Sequence, residues 1–358
     1  MKDLRLIVLF GVVVTALLAT LQSGVWLSFL MMTLYTVLLS QSWNILGGFG
    51  GQLSFGHALF FGVGAYAQAI AQLQWGWNPW LAMPFAIAMG TLVAVVVGAV
   101  TFRYGLKGSY FALVTLAFAE VFRILAVSLP FTGAGVGLMV PLHQSAANLQ
   151  FASPRGYAFV LLTFVMGALL VTAWLRHSRF GAWLQAVRDN ENAARAVGVN
   201  PLRVKLGAIA LSGAFMSAAG VCYVQMFQYI DAGIAFGSTI SVEALVGVIV
   251  GGLGTLWGPV LGAAVLYTLG ELTRNLFGEL PGLSMVIYGA VLILIVMFLP
   301  RGITGAGASV RRALGMGKDK PQADGTFRAS DTSIASATSA TSATSATNIA
   351  ASKEKARV

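Results

Sequence analysis

Apolar residues in this chain come in long unbroken runs, not in the one-sided or alternating patterns of a soluble fold. Ten runs are legible, at about 4–21, 23–46, 57–74, 79–101, 110–128, 157–175, 206–228, 240–256, 258–277 and 283–299. A helix takes about 20 predominantly apolar residues to cross the hydrocarbon core. In lipid, runs of this length satisfy their own backbone only as helices. The pattern predicts an all-α polytopic membrane protein with about ten transmembrane helices. The count is tightest at 240–277, where Trp257-Gly258-Pro259 is the only break between two short runs, and eight or nine full crossings is the alternative.

Composition removes other classes. Of the 358 residues 57% are hydrophobic and 9% charged, against about 25% charged in an ordinary soluble domain, so a soluble enzyme is excluded. The charges cluster as well. Thirteen of the 34 lie in 300–358 and eight in 176–205. With the N-terminus inside and ten crossings, the inner segments are the N-terminus, 102–109, 176–205 and the tail. They hold 19 of the 22 Lys and Arg residues, all but Arg123, Arg155 and Arg274. This asymmetry follows the positive-inside rule and places both termini in the cytoplasm. It also accounts for the net charge of +10, so no nucleic-acid partner is expected. A single cysteine, Cys222, leaves no internal disulfide or thiolate cluster. The first run follows Lys2 and Arg5 without a small-x-small cleavage site and reads as an uncleaved span. Residues 336–347 are four Ser-Ala-Thr triplets, a composition with nothing to bury. The chain thus divides into a membrane domain, 1–299, and a disordered cytoplasmic tail, 300–358.

Several stretches are more than greasy. Residues 47–56 contain five glycines, and Gln41, Asn44, Gln52, Ser54 and His57 gather around them. Such a run holds a regular helix poorly. It reads either as a broken or re-entrant helix beside a translocation path or as a tight turn at the inner surface. Gly247/Gly251 and Gly258/Gly262 have the GxxxG spacing of closely packed helices, within the chain by preference or against a second subunit. Intramembrane charges are functional candidates by default. Glu120 and Arg123, three apart, predict a mutually neutralising pair facing the bundle interior; Glu271 and Arg274 repeat the spacing, and Glu243 stands alone. Ser54 and His57 are close enough in sequence for a hydrolase-like pairing, but no orienting third group accompanies them, and catalysis is not expected.

The longest inner connection, 176–205, is built rather than floppy. Phe180, Trp183, Leu184 and Val187 form one amphipathic face. Asp189 or Asn190 can cap a second short helix from Glu191 onward, with Gly198 just past its end and Asn200-Pro201 forbidding continuation. Two short helices with basic and apolar residues predict a docking element for another protein, or an interfacial helix on the anionic lipid leaflet.

Four of these stretches together resemble the permease subunits of branched-chain amino-acid ABC importers, the LivM-like half. They are 50–66 (GGQLSFGHALFFGVGAY), 108–120 (GSYFALVTLAFAE), 178–200 (SRFGAWLQAVRDNENAARAVGVN) and 251–259 (GGLGTLWGP), in the family's order, with Pro300-Arg301-Gly302 at the usual end of the last span. The resemblance implies a type II ABC importer-like permease bundle in the bacterial inner membrane. It also implies a second, LivH-like permease subunit, two ATP-binding subunits and an extracytoplasmic substrate-binding protein. ATP would be hydrolysed by the partners and no cofactor held by this chain, which has no GxxxxGK[ST] loop. Path residues are then expected at Asn44, Gln52, Ser54, His57 and Glu120. ATPase coupling is expected at Arg188, Asp189, Glu191, Ala194, Arg195 and Gly198. Val136 stands where the family often has a polar residue, and the Ser-Ala-Thr tail has no counterpart. The competing function is a stand-alone channel or ion-coupled carrier for a small polar solute such as urea or an amide.

Overall fold

The computed structural model describes residues 2–277, 281–298 and 302–305. Helices occupy all ten apolar runs. They are α1 (Lys2–Thr20), α2 (Gly24–Trp43), α3 (His57–Leu73), α4 (Pro79–Arg103), α5 (Gly108–Ser128), α6 (Pro154–His177), α9 (Pro201–Phe227), α11 (Ser238–Gly251), α12 (Gly258–Phe277) and α13 (Pro281–Phe298). Seven described segments are long and apolar enough to cross a membrane, the seventh being α11 joined to the short α10 (Ala232–Phe236). The protein is an all-α polytopic membrane bundle. The expected disordered tail, 300–358, lies outside the described residues apart from a helical turn at 302–305.

Helices α3, α4 and α9 form the centre, and small residues let their backbones approach. Ser217 of α9 lies against Gly64 of α3 and Gly90 of α4, and Gly213 faces Ala94. Ser217 donates back to Gly213 O at 2.7 Å and to Phe60 O at 3.0 Å, so its own hydroxyl is satisfied within the seam. In lipid, where burial of apolar surface drives little, such close packing and bonding hold helices together. The two GxxxG pairs behave likewise: Gly251 and Gly262 pack backbone to backbone between α11 and α12. They serve packing within the chain.

One end of the bundle carries α7 (Arg179–Asp189) and α8 (Glu191–Ala196). The N-terminus is at this end too, since Asp3 pairs with Arg176 at 3.3 Å and His177 at 2.9 Å. At the opposite end β1 (Leu138–Met139) pairs antiparallel with β2 (Tyr229–Ile230). These two-residue strands tie the loop after α5 to the exit of α9.

Candidate functional site

The site is the junction of the 176–205 loop with two irregular links, the one between α2 and α3 and the one between α11 and α12. Its loop is set by caps. Ser178 Oγ accepts from Gly181 N at 3.1 Å to start α7. Asn190 Oδ1 accepts from Asn192 N and Ala193 N to start α8. Gly198 takes φ +87°, a left-handed conformation in which a side chain is strained. Asn200 then caps α9 through Arg203 N, with Pro201 in the first turn. Leu184 and Val187 are buried against the bundle, while Trp183 is 47% exposed.

Beneath the loop, α2 does not stop at a turn. It runs into one π-helical turn, Asn44–Phe49, and the chain continues irregularly to Gly56 before α3 begins. Most of this backbone is buried, as irregular backbone in a membrane protein must be. The loop itself supplies part of the cover, with Leu184 and Arg188 lying on Gly50 and Gly51. Asn44 spends its whole amide on the second interruption, at 252–257. Its Nδ2 donates to Thr255 O at 2.9 Å and its Oδ1 accepts from Gly254 N at 2.9 Å. Arg188, in the last turn of α7, reaches the same place, donating from Nη1 to Gly48 O at 3.3 Å. The stem of Arg188 lies on Gly51, at φ +65°, where no Cβ fits. One arginine therefore links the loop to the first interruption, and one asparagine links the first to the second.

Glu191 is the loop's electrostatic anchor. Its Oε2 accepts from Lys107 and from Lys205, each at 2.9 Å, and Arg195 approaches Oε1 at 3.3 Å. Lys205 is only 4% exposed. Burial raises the Glu191 pKa, but the hydrogen bonds and charges of Lys205 and Lys107 outweigh it and leave the carboxyl below its usual range.

Glu191 and Ala194 turn toward the bundle, with Ala194 3% exposed and the Glu191 side chain 15% exposed. Arg195 and Gly198 point outward, as do Asn192, Ala196 and Val197; Asp189 is exposed and paired with Arg188 at 3.0 Å. Among the path candidates, Asn44, Ser54 and His57 are fully enclosed by this chain, and Gln52 nearly so. The Ser54–His57 pair does not form: His57 Nε2 meets Ser212 Oγ at 2.8 Å and Ser54 Oγ meets Thr115 Oγ1 at 3.3 Å. The Glu120–Arg123 ion pair forms, with Arg123 Nε 2.9 Å from Glu120 Oε2. It lies on the outside of α5, not in the bundle interior, with Glu120 51% exposed. The peripheral position of α5, which meets mainly α10 and α3, is the reason. Sequence reasoning missed Lys107, Lys205, Thr255 and Ser212, whose contacts span from 14 to 211 positions of chain and follow no local pattern.

At one end of the helical bundle, a capped loop is thus bonded to the end of α2, which is bonded in turn to 252–257. Residues 25–296 match the family model for the branched-chain amino acid transport system permease component, and the chain belongs to that family. It is similar to the high-affinity branched-chain amino acid permease protein LivM of Salmonella typhimurium, 28% identical over 76% of this chain and 68% of that one. A probable LivH permease of Methanocaldococcus jannaschii is 27% identical over 68% of this chain and 80% of its own. The ribose import permease RbsC of Escherichia coli strain K12 is 26% identical over 65% and 72% respectively. No solved structure gives a significant match.

Proposed function

We propose that this chain forms one half of the path of an ABC importer for branched-chain amino acids in the bacterial inner membrane. A LivH-like permease forms the other half. Two ATP-binding subunits dock under 176–205 and hydrolyse the ATP, and an extracytoplasmic binding protein delivers the solute. The bundle is of the type II importer kind, crosses ten times and keeps both termini in the cytoplasm. The similarity to LivM proteins supports the solute class.

The observation that carries the reading is the contact of Arg188 with Gly48 O. It gives a motor pushing on the exposed face of α8 a direct hold on the interrupted end of α2. Arg188 is then a transmitter, while Asp189, Arg195 and Gly198 form the docking face. Glu191 and Ala194 seat α8 on the bundle. In vesicles holding the complete importer, Arg188→Ala is expected to lower leucine uptake roughly tenfold or more, the scale of losing one charged hydrogen bond that matters in the rate-limiting state. ATP hydrolysis driven by loaded binding protein should change little. Uptake that is unaffected, or that continues in the wild-type chain without ATP-binding subunits, rejects the reading.

A further inference from the structure

The outward face of α5 is apolar except at one place. Leu113, Ala117, Val121 and Ile124 are exposed along it. Among them lies the Glu120–Arg123 pair, with the Glu120 side chain 51% and the Arg123 side chain 37% exposed. The contact is two-pronged: Arg123 Nε donates to Glu120 Oε2 at 2.9 Å and Nη2 to Oε1 at 2.5 Å. Neither residue has a further ion-pair partner among the described residues.

Depth makes this exposure expensive. Helix α5 has 21 residues from Gly108 to Ser128, and Glu120 lies about 18 Å along its axis, within the hydrocarbon layer. The Glu271–Arg274 pair is different, because Arg274 is in the last turn of α12, where a long side chain reaches the interface. Against lipid tails, the free lone pairs and N–H groups of Glu120 and Arg123 would have nothing to bond. Charged groups at this depth face a bundle interior or a water-filled cavity. Helix α5 is peripheral within this chain, meeting mainly α10 and α3, so the interior of its own bundle does not cover the pair.

We infer that this face of α5 lines a wet path and that Glu120 and Arg123 together bind the zwitterion of an α-amino acid, the solute carboxylate on the Arg123 fork and the ammonium on the Glu120 carboxylate. The inference rests on the amino-acid reading above. A carboxylate fits the planar guanidinium fork, which Glu120 itself occupies here. The pair has no net charge, so a zwitterion replaces each internal contact with one of its own. A lone acid or amine would leave one member unmatched, which is costly away from bulk water. Leu113, Ala117, Val121 and Ile124 offer an apolar surface for an aliphatic side chain. When the solute leaves, the pair closes on itself again.

The test starts from the complete importer in lipid nanodiscs, with the buried Cys222 in place. Ile124→Cys is expected to react with a charged thiol reagent in the nucleotide-free or the nucleotide-trapped state, since a thiol packed against lipid or protein stays silent. Leucine at about ten times its half-maximal concentration should slow that reaction about tenfold by mass action. The analogue without the amino group, 4-methylpentanoate, and the one without the carboxylate, 3-methylbutylamine, should leave the rate unchanged. So should leucine once Glu120→Gln is combined with Ile124→Cys. In vesicles supplied with loaded binding protein, Glu120→Gln is expected to lower leucine uptake about tenfold or more, as for loss of a charged hydrogen bond. The exchanged pair, Glu120→Arg with Arg123→Glu, should not restore it. A silent Ile124→Cys in both states puts the face against lipid or the second permease and overturns the site. Labelling that leucine does not slow, or that both analogues slow equally, overturns it too. Uptake restored by the exchanged pair would do the same, by reducing the two residues to charges that only neutralise each other. If the wild-type importer hydrolyses ATP but does not move leucine, the solute reading fails, and the labelling still reports separately whether α5 is wet.

Discussion

Asn44 shows how much one side chain settles here. It is fully buried, and it satisfies a backbone N–H and a backbone C=O on a segment some 210 positions away. Replacing it with alanine removes the partner of both groups, which are half-buried, at roughly 1 kcal/mol each. Asn44→Ala is therefore expected to destabilise the detergent-solubilised protein by about 2 kcal/mol, read as a lower midpoint in thermal unfolding. An undiminished midpoint in Asn44→Ala would show that 252–257 is held by other means. The polarity of Asn44 was legible in the sequence, since an amide inside an apolar run must bond to something. Its partner was not, because nothing local encodes a contact between positions 44 and 254. The same limit hides the contact of His57 with Ser212, 155 positions away.

Short-range signals fared better at the level of whole elements. The apolar runs give the helices their places because a run of that length in lipid has one stable backbone form. The two loop helices follow from Asn190, Gly198 and Asn200-Pro201, whose effects on the chain are local. The face that each helix buries was less legible. Helix α8 has six residues, too few for periodicity to show that Glu191 and Ala194 turn inward. That orientation makes α8 sensitive to pH. The Glu191 carboxyl is held below its usual range by Lys205 and Lys107 against the opposing effect of burial. Its stabilising effect is thus fully present above the ordinary glutamate range and is lost as pH falls through the lowered value. Hydrogen exchange of α8 amides, corrected for the intrinsic rate, should keep constant protection from neutral pH down into the ordinary range and lose it below. In Glu191→Gln the protection should already be reduced at neutral pH, where the buried Lys205 ammonium has lost its counter-charge. A pH-independent protection pattern in the wild type would remove Glu191 as the anchor.

Across the whole bundle, contacts bring the two ends of the membrane domain to one side. Asp3 joins the N-terminus to the end of α6, and Thr304 bonds to Gly251 O at 2.9 Å beside the second interruption. Both therefore sit at the end that carries 176–205. The three basic residues that break the positive-inside pattern are each accounted for. Arg123 and Arg274 pair with acids one turn away, and Arg155 donates to Leu21 O, at the end of α1. Helix α5 starts next to Lys107, which is bound to Glu191, and its 21 residues span about 30 Å. The loop after Ser128 must then lie on the far side of the membrane from α8. Cys222 is buried and should be silent to a membrane-impermeant thiol reagent, so single cysteines introduced elsewhere report cleanly. Asn192→Cys is expected to react only in inside-out vesicles and Gly135→Cys only in intact, outer-membrane-permeabilised cells. Labelling of both from one side would break α5 as a crossing and with it the ten-span arrangement. Reversed labelling would keep the arrangement, put 176–205 outside, and leave cytoplasmic ATP-binding subunits nothing of that loop to push against.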